Sequence, residues 1–274
     1  MKKILLICVN YNSYNALQSF LESVNHAAKS AIDVCSVRVL IADNSTHKQI
    51  VDINQYTHIE SCYYACENAG YIGTVEKLLD TTNWKEAIEA DFFIISNVDI
   101  CLSEDFFCQL STIDGTNVGW VVPRIYAVER KREDNPQAIL RYSKIKLLLL
   151  YILYSFPFLY KCYRQTIYLL IQNKRNYETS VMQQQQEIYA GNGSIFIFTK
   201  EFLKNLVPFH YPYFLYGEEL FFAELVRSKQ LKTIFYPSLY IENKTPNVST
   251  KELGFEQRCR YSAKAIKYII QTYY

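Results

Sequence analysis

A short polar stretch that follows an apolar run is the part of this sequence best suited to chemistry. Residues 92–96 are apolar and rich in aromatic and β-branched side chains, which favours a buried strand. Asn97 and Asp99 follow it, and in an open α/β sheet ligands bind at such strand ends. A carboxylate there suits a hard cation and a diphosphate. The alternative is that both are ordinary turn residues, which is the stronger interpretation on these residues alone.

The elements that must position these residues alternate between strand and helix patterns. Apolar runs at residues 4–9, 37–42 and 59–64 predict three further strands. Apolar residues at helical spacing follow the first run, between Leu17 and Val24. This alternation over the first 125 residues predicts an α/β fold with a Rossmann-like, mostly parallel central sheet flanked by helices. Polar loop residues follow the predicted strands, at Asn10, Asp43, Asn68 and Asn97.

Composition excludes some classes of protein. Half of the 274 residues are apolar, which is typical of a globular chain, and a formal net charge of +2 gives no indication of a nucleic-acid partner. The first apolar run is too short for a signal-peptide core, so it is predicted to be a buried strand. The eight cysteines are scattered, and Cys62 and Cys66 have no second ligand pair at zinc-site spacing. Reduced thiols in a cytoplasmic protein are therefore expected.

Residues 141–175 differ in kind from the rest of the chain. They include seven basic residues and no acidic one, around an almost wholly apolar and aromatic run at 147–160. Fourteen such residues are too few for a membrane-spanning helix, which needs about 20. Basic residues on both sides of an apolar stripe are typical of helices in a membrane interface, so association with a membrane surface is predicted. The alternative is a helical hairpin packed on the protein's own core.

Five blocks of the sequence resemble glycosyltransferase family 2, the inverting sugar transferases with a GT-A fold. Each block alone is a weak signal, but all five occur in the family's order between Lys3 and about Thr250. The likeness is greatest to the branch that decorates bacterial surface polysaccharides, including rhamnosyltransferase-like members. The blocks are residues 9–13 (VNYNS), 42–45 (ADNS), 67–73 (ENAGYIG), 96–100 (SNVDI) and 213–219 (YFLYGEE).

The resemblance implies a nucleotide-sugar donor bound at the strand ends. Asp43 would contact the nucleotide base, and Asp99 would hold a Mg²⁺ or Mn²⁺ ion that neutralises charge on the leaving diphosphate. Gly70 would let the backbone approach the nucleotide closely. The implied donor-binding residues are Asn10, Tyr11, Asn12, Asp43, Asn68, Gly70, Asn97 and Asp99.

The resemblance also implies a catalytic base in the last block. An acceptor hydroxyl must lose its proton as it attacks the sugar, and a carboxylate within hydrogen-bond reach can accept it. Glu219 stands where the family more often has Asp, and Glu218 beside it would bind or orient the acceptor. The alternative is that both are helix N-terminal acids favoured by the helix dipole. Gly191, Asn192 and Gly193 are expected to form a turn beneath the acceptor or sugar, although a simple turn is nearly as good an interpretation.

One position departs from the family pattern. Many relatives have a His after the last strand that completes the metal site, whereas Asn243 stands here with Glu242 beside it. Either side chain could still bind a cation through oxygen. The departure makes the metal dependence of this chain an open question.

The leading hypothesis is therefore an inverting glycosyltransferase that acts on a lipid-linked glycan in surface polysaccharide synthesis, peripherally on the inner face of the cell membrane. A catalytically inactive membrane-associated scaffold is one alternative. A nucleotidyltransferase is the other, but residues 10–15 lack the Gly-rich and basic phosphate loop that it would need. The predicted organisation is a donor-binding half at 1–135, a helical membrane-interface insert at 136–185 and an acceptor-binding, catalytic half with a C-terminal helix at 186–274.

Overall fold

A single mixed β-sheet takes strands from both predicted halves of the chain in this computed structural model. The structure describes residues 1–82, 84–166, 184–204, 208–244 and 253–274. Across the sheet the order is β3-β2-β1-β4-β9-β6-β10-β5, with β7 beside β6 and β8 beside β10. The strands are β1 (Lys2–Asn10), β2 (Cys35–Asp43), β3 (Glu60–Ala65), β4 (Phe92–Asn97), β5 (Ile100–Leu102), β6 (Val118–Ala127), β7 (Arg132–Glu133), β8 (Gln186–Ile188), β9 (Ile195–Thr199) and β10 (Lys232–Asn243).

Helices cover both faces of this sheet. Strand residues alternate between the faces, so that Leu6 of β1 belongs to the apolar cluster containing α1 and Ile7 to the cluster containing α2 and α8. Both side chains are fully buried. The helices are α1 (Tyr14–Ser30), α2 (Tyr71–Thr82), α3 (Lys85–Glu89), α4 (Phe106–Ser111), α5 (Lys144–Ser155), α6 (Pro157–Thr166), α7 (Lys200–Lys204), α8 (Glu218–Ser228) and α9 (Phe255–Tyr273). The predicted α/β class, with a mostly parallel central sheet between helices, is confirmed.

The strand register brings the predicted polar residues to one edge of the sheet. Strands β3, β2, β1 and β4 are parallel neighbours, with Asn10 opposite Asp43 and Val9 opposite Asn97. Strand β9 runs antiparallel to β4, and the Asn97 amide donates a hydrogen bond to the Ser194 carbonyl at 2.9 Å. The start of β9 therefore meets the end of β4.

The four N-terminal strands and α1 lie where the sequence predicts them, but other elements differ. No strand was predicted over β6, which holds Pro123; this residue lies opposite Tyr236, where the β6–β10 register shifts. A proline is tolerated in a sheet at such an irregularity, because the missing N–H falls where the ladder is interrupted. The C-terminal helix predicted within residues 186–274 is α9, which starts at Phe255.

Within the described part of the basic and apolar insert, the helices are α5 and α6, and residues 136–143 before them are not helical. No helix in the described ranges is by itself long and apolar enough to cross a membrane; α5 and α6 meet that test only as a pair, and they are bent by 116°. One side of α5 packs on α9, with Leu147 fully buried, whereas Ile145 is 71% exposed. The helix thus combines core packing with exposed apolar surface. Residues 167–183, which include the basic residues Lys174 and Arg175 of the predicted membrane-interface segment, lie outside the described residues.

Candidate active site

The carboxylate of Asp43, at the end of β2, is surrounded by hydrogen-bond donors. Oδ1 accepts from the Asn10 side chain at 3.1 Å and the Ser45 amide at 3.0 Å. Oδ2 accepts from the hydroxyls of Tyr14, at 2.7 Å, and Tyr63. Burial alone would raise the pKa of Asp43, but these hydrogen bonds outweigh it and hold the pKa below its ordinary value. Because a carboxylate has about four acceptor positions, the protein already uses all of them.

Asp99, two residues beyond β4, is in the opposite situation. Both of its carboxylate oxygens are buried, and neither has a hydrogen-bond partner among the residues that the structure describes. Burial raises the pKa of Asp99 to about 7, although the positive charge of Arg130 opposes part of this rise. Buried polar groups in native proteins are normally paired. Two unpaired carboxylate oxygens fit a bound cation, so the residues present are compatible with the divalent metal that the resemblance implies.

The two acids of the last block begin α8, as both interpretations of their role predicted. Glu218 is 6% exposed, and its Oε1 accepts a hydrogen bond from the Tyr216 amide at 2.9 Å. Glu219 is partly exposed and lies against Gly193, where an added Cβ would come 2.8 Å from the carboxylate oxygen. Burial raises the pKa of both carboxyls, and in Glu218 the charge of Glu219 adds to this effect. Glu219 is therefore the more exposed of the two acids.

The loop before β9 supports this arrangement. Asn192 accepts from the Ser194 amide at 2.9 Å, and its own amide donates to Asn135 at 2.6 Å. Gly191 packs on the side chain of Val122, where a Cβ would come within 2.7 Å of both methyl groups. The loop thus forms a closely packed turn that leaves room at Gly193 for the Glu219 carboxylate.

A cavity of about 320 Å³ opens at the strand ends, within the size range of ligand pockets in proteins. Its wall includes predicted donor-binding residues from three strand ends, together with residues of the loop before α8 and of α9. Asp99 follows one wall residue, Asn97, by two positions. The lining residues are Val9, Tyr11, Asn44, Asn68, Gly70, Tyr71, Asn97, Phe214, Leu215, Leu253, Gln257 and Tyr261.

Two predicted donor-binding residues have internal roles in this wall. Gly70 has φ +83°, and a Cβ there would lie 1.8 Å from the Phe214 carbonyl oxygen. The glycine is thus required by the close approach of the chain's own backbone. Asn68 accepts a hydrogen bond from the Gly70 amide at 3.1 Å and fixes the turn.

Asn10 and Asn12 also have partners inside the protein. Asn10 is fully buried, and its side-chain nitrogen bonds to Asp43 and Ser45. Asn12, with φ +50°, accepts from the Thr46 amide at 3.1 Å. Both side chains hold the first two strand-end loops together.

Glu242 and Asn243, at the end of β10, lie beside β5. Glu242 forms an ion pair with Lys244 at 3.8 Å and accepts a hydrogen bond from Tyr240. Asn243 is nearly buried and pairs with Ile100, the residue after Asp99. In the described part of the chain, no group of three or more His, Cys, Asp or Glu side chains could hold a metal. A cation bound beside Asp99 would therefore depend on the Asp99 carboxylate and on oxygens of a substrate.

Sequence reasoning missed the two lining residues that have a buried, unpaired polar atom, Asn44 and Tyr71. Both lie inside blocks that it quoted. Asn44 lines the cavity, and its buried Oδ1 has no partner. Tyr71 also lines the cavity, and its buried hydroxyl is unpaired. The sequence signal was position alone, since each directly follows a predicted site residue, Asp43 or Gly70.

Two solved structures have an architecture similar to that of this chain. S. aureus TarS 1-349 in complex with UDP-GlcNAc superposes with a TM-score of 0.54 and 12% identity, over 92% of this chain and 62% of that one. GalNAc-T7 with UDP, GalNAc and Mn²⁺ gives 0.54 and 10%, over 90% of this chain and 44% of that one. The fold is of the GT-A type. This GT-A chain spans less than two thirds of the length of either structure.

Sequence comparison adds no family name to this GT-A fold. No protein-family model matches the sequence, and no curated protein matches it. The predicted GT-A architecture is thus confirmed at the level of the fold, while membership of family 2 stays a prediction.

Proposed function

We propose that this chain is an inverting glycosyltransferase of family 2, which transfers a sugar from a nucleotide-sugar donor to a glycan acceptor. The observation that carries the proposal is the pair of Asp99 and Glu219 carboxylates, both near Tyr71, beside a cavity at the strand ends of a GT-A fold. One unpaired carboxylate suits a cation, and the other, partly exposed, suits a base. These are the two groups that the transfer needs.

The donor would bind with its diphosphate toward Asp99 and its base in the cavity. Asp99 and the donor's phosphates would hold one Mg²⁺ or Mn²⁺ ion, which neutralises charge on the leaving diphosphate. The Asp43 carboxylate, whose acceptor positions are all occupied, would hold the loop beneath the base in place. The unpaired Oδ1 of Asn44, on the cavity wall, would accept a hydrogen bond from a base N–H. A uridine nucleotide is the first candidate, because the TarS and GalNAc-T7 structures contain UDP or UDP-GlcNAc.

Glu219 would act as the general base. Burial raises the pKa of Glu219 toward neutral pH, and a general base is most effective when its pKa lies near the working pH. Glu218 holds the backbone of Tyr216 and so fixes the loop that carries both acids. Its influence on the acceptor would therefore be indirect, through the position of Glu219.

A lipid-linked acceptor would approach from the side of α6 and α9. An open cleft of about 800 Å³ lies between these helices and shares Gln257 and Tyr261 with the cavity. Three cations line it, against one acid, Glu256, which favours an anionic ligand such as a phosphate-linked carrier. The cationic residues are Lys161, Arg260 and Lys264.

Membrane association through residues 141–175 is also part of the proposal, but two of the basic residues that predicted it have contacts within the protein. Arg141 binds the buried carboxylate of Glu224 at 2.7 Å, and Lys144 donates to the Tyr274 carbonyl at 3.0 Å. These two cations therefore serve contacts within the protein. The exposed apolar surface of Ile145 and Phe158, 71% and 76% exposed, supports peripheral contact with the inner face of a cell membrane in surface polysaccharide synthesis.

The test is binding and hydrolysis of a panel of nucleotide sugars, with Mn²⁺, Mg²⁺ or EDTA. We expect the wild type to bind and turn over one donor in a metal-dependent way. Glu219→Gln should keep donor affinity but lose about 10²–10⁴-fold in turnover, because only the base is removed. The control is Glu187→Gln, a surface acid paired with Lys232, which should behave as wild type.

Failure of the wild type to bind any donor would overturn the proposal. Diphosphate release from a nucleoside triphosphate and a sugar phosphate would then favour the nucleotidyltransferase. Absence of both activities would favour the scaffold.

A further inference from the structure

The hydroxyl of Tyr71 is a buried polar group without a hydrogen-bond partner in the described part of the chain. Tyr71 is the first residue of α2, is 8% exposed and lines the cavity. Its ring packs against Phe196, with 6.2 Å between the ring centroids. A phenylalanine could make that packing contact without burying a hydroxyl, which costs free energy when unpaired. Packing alone therefore does not account for the oxygen.

The surroundings of this hydroxyl indicate that it is a donor. Besides burial, the charges of Glu218, Asp99 and Glu219 raise the pKa of Tyr71 well above its ordinary value. The hydroxyl is thus protonated and lies among acidic groups. None of these carboxylates accepts its hydrogen, since the oxygen has no partner.

Tyr71 and Asp99 are complementary in what they lack. The Asp99 carboxylate can only accept, and a cation can satisfy it. The Tyr71 O–H needs an acceptor oxygen, which a cation does not supply. A metal-bound sugar diphosphate offers both partners at once.

We propose that Tyr71 donates a hydrogen bond to an oxygen of the sugar–diphosphate portion of the donor. This inference rests on the proposed function and adds a residue that positions the reacting end of the donor. The acceptor atom is a phosphate oxygen or a sugar hydroxyl.

The experiment compares Tyr71→Phe with the matched control Tyr56→Phe. Tyr56 also has a buried, unpaired hydroxyl, but it belongs to the apolar cluster on the other face of the sheet. Calorimetry would measure the affinity of each protein for the nucleotide sugar bound by the wild type, and for the corresponding nucleoside diphosphate, with Mn²⁺ present. Melting temperatures without ligand would show that each variant is folded.

We expect Tyr71→Phe to weaken nucleotide-sugar binding about 10-fold or more, because a hydrogen bond to a polar or charged ligand group is lost. Tyr56→Phe should bind as wild type. A loss shared by the nucleoside diphosphate would assign the bond to a phosphate oxygen, and a loss confined to the nucleotide sugar would assign it to a sugar hydroxyl.

Unchanged affinity of Tyr71→Phe for a donor that the wild type binds would overturn this inference alone. If the wild type binds no nucleotide sugar, the proposed function fails, and this inference fails with it. An equal loss in both variants would also overturn it, since the effect would then not be specific to the cavity.

Discussion

The two aspartates at the carboxyl ends of β2 and β4, Asp43 and Asp99, differ in their hydrogen bonds and in the direction of their pKa shifts. Strands β2 and β4 lie on either side of β1; Asp43 is the last residue of β2, and Asp99 lies two residues beyond the end of β4. Asp43 accepts four hydrogen bonds, from the strand end, its own loop, α1 and β3. Asp99 accepts none. The pKa of Asp43 is lowered, whereas that of Asp99 is raised.

This difference separates an aspartate whose charge is satisfied by the fold from one whose charge is not; in the proposed function, a cation supplies the missing partner of Asp99. The donors around Asp43 satisfy a charge that would otherwise be costly to bury. The same cost is left uncompensated at Asp99 in the protein alone. Retaining such a residue is typical of a functional site, where a bound group supplies the missing interaction.

Asp99→Asn should have the largest effect, and only on activity. We expect donor turnover to fall about 10³-fold, because a divalent cation contributes several kcal/mol of charge stabilisation to the transition state. Metal-free stability, measured by denaturant unfolding in EDTA, should be unchanged or raised, because an unpaired buried carboxylate is removed.

A clear loss of metal-free stability in Asp99→Asn would contradict the comparison, since it would mean that Asp99 has partners in the fold. Donor binding by this variant that no longer responds to Mn²⁺ would support its role as the cation ligand. The control for the substitution itself is Asp114→Asn, on an exposed turn with Thr116.

Asp43→Asn, in contrast to Asp99→Asn, should lower stability. We expect a loss of about 3 kcal/mol in the free energy of unfolding, because charge-assisted hydrogen bonds are weakened. The pKa of Asp43 is lower in the folded protein, so its contribution is complete above the unfolded pKa of about 3.9 and is lost as the pH falls. Wild type and variant should therefore converge in stability at acid pH. A constant difference at all pH values would show that the loss is steric and unrelated to the charge.

The strand ends were predictable from sequence, but the environment of each side chain was not. Apolar runs followed by polar residues located Asn10, Asp43 and Asn97 at one edge, because parallel strands place their carboxyl ends together. The two donors to Oδ2 of Asp43 are Tyr14 and Tyr63, which lie 29 and 20 positions away in the chain. Nothing in the local pattern shows that these hydroxyls converge there.

The same limit explains the other departures from prediction. Strand β6 depends on tertiary pairing around Pro123, which a local pattern counts against a strand. Gly70 was interpreted as letting the backbone approach a nucleotide, and an added Cβ at this position would also meet the carbonyl of Phe214, which lies much later in the chain. Both are set by contacts between distant segments.

Tyr63→Phe should have the smallest effect and tests whether the Asp43 donors act individually. Tyr63 donates to Asp43 Oδ2, and removing one hydrogen bond to a charged group should cost about 1.5 kcal/mol of stability. The pKa of Asp43 should rise toward its unfolded value, so the acid-dependent loss of stability should be smaller than in wild type and should be complete at a higher pH. Tyr56→Phe removes a hydroxyl that makes no hydrogen bond, and it should cost nothing. If Tyr63→Phe and Tyr56→Phe lose equal stability, the loss comes from removing a tyrosine hydroxyl and not from the hydrogen bond to Asp43. The contrast between Asp43 and Asp99 then rests on the remaining donors alone.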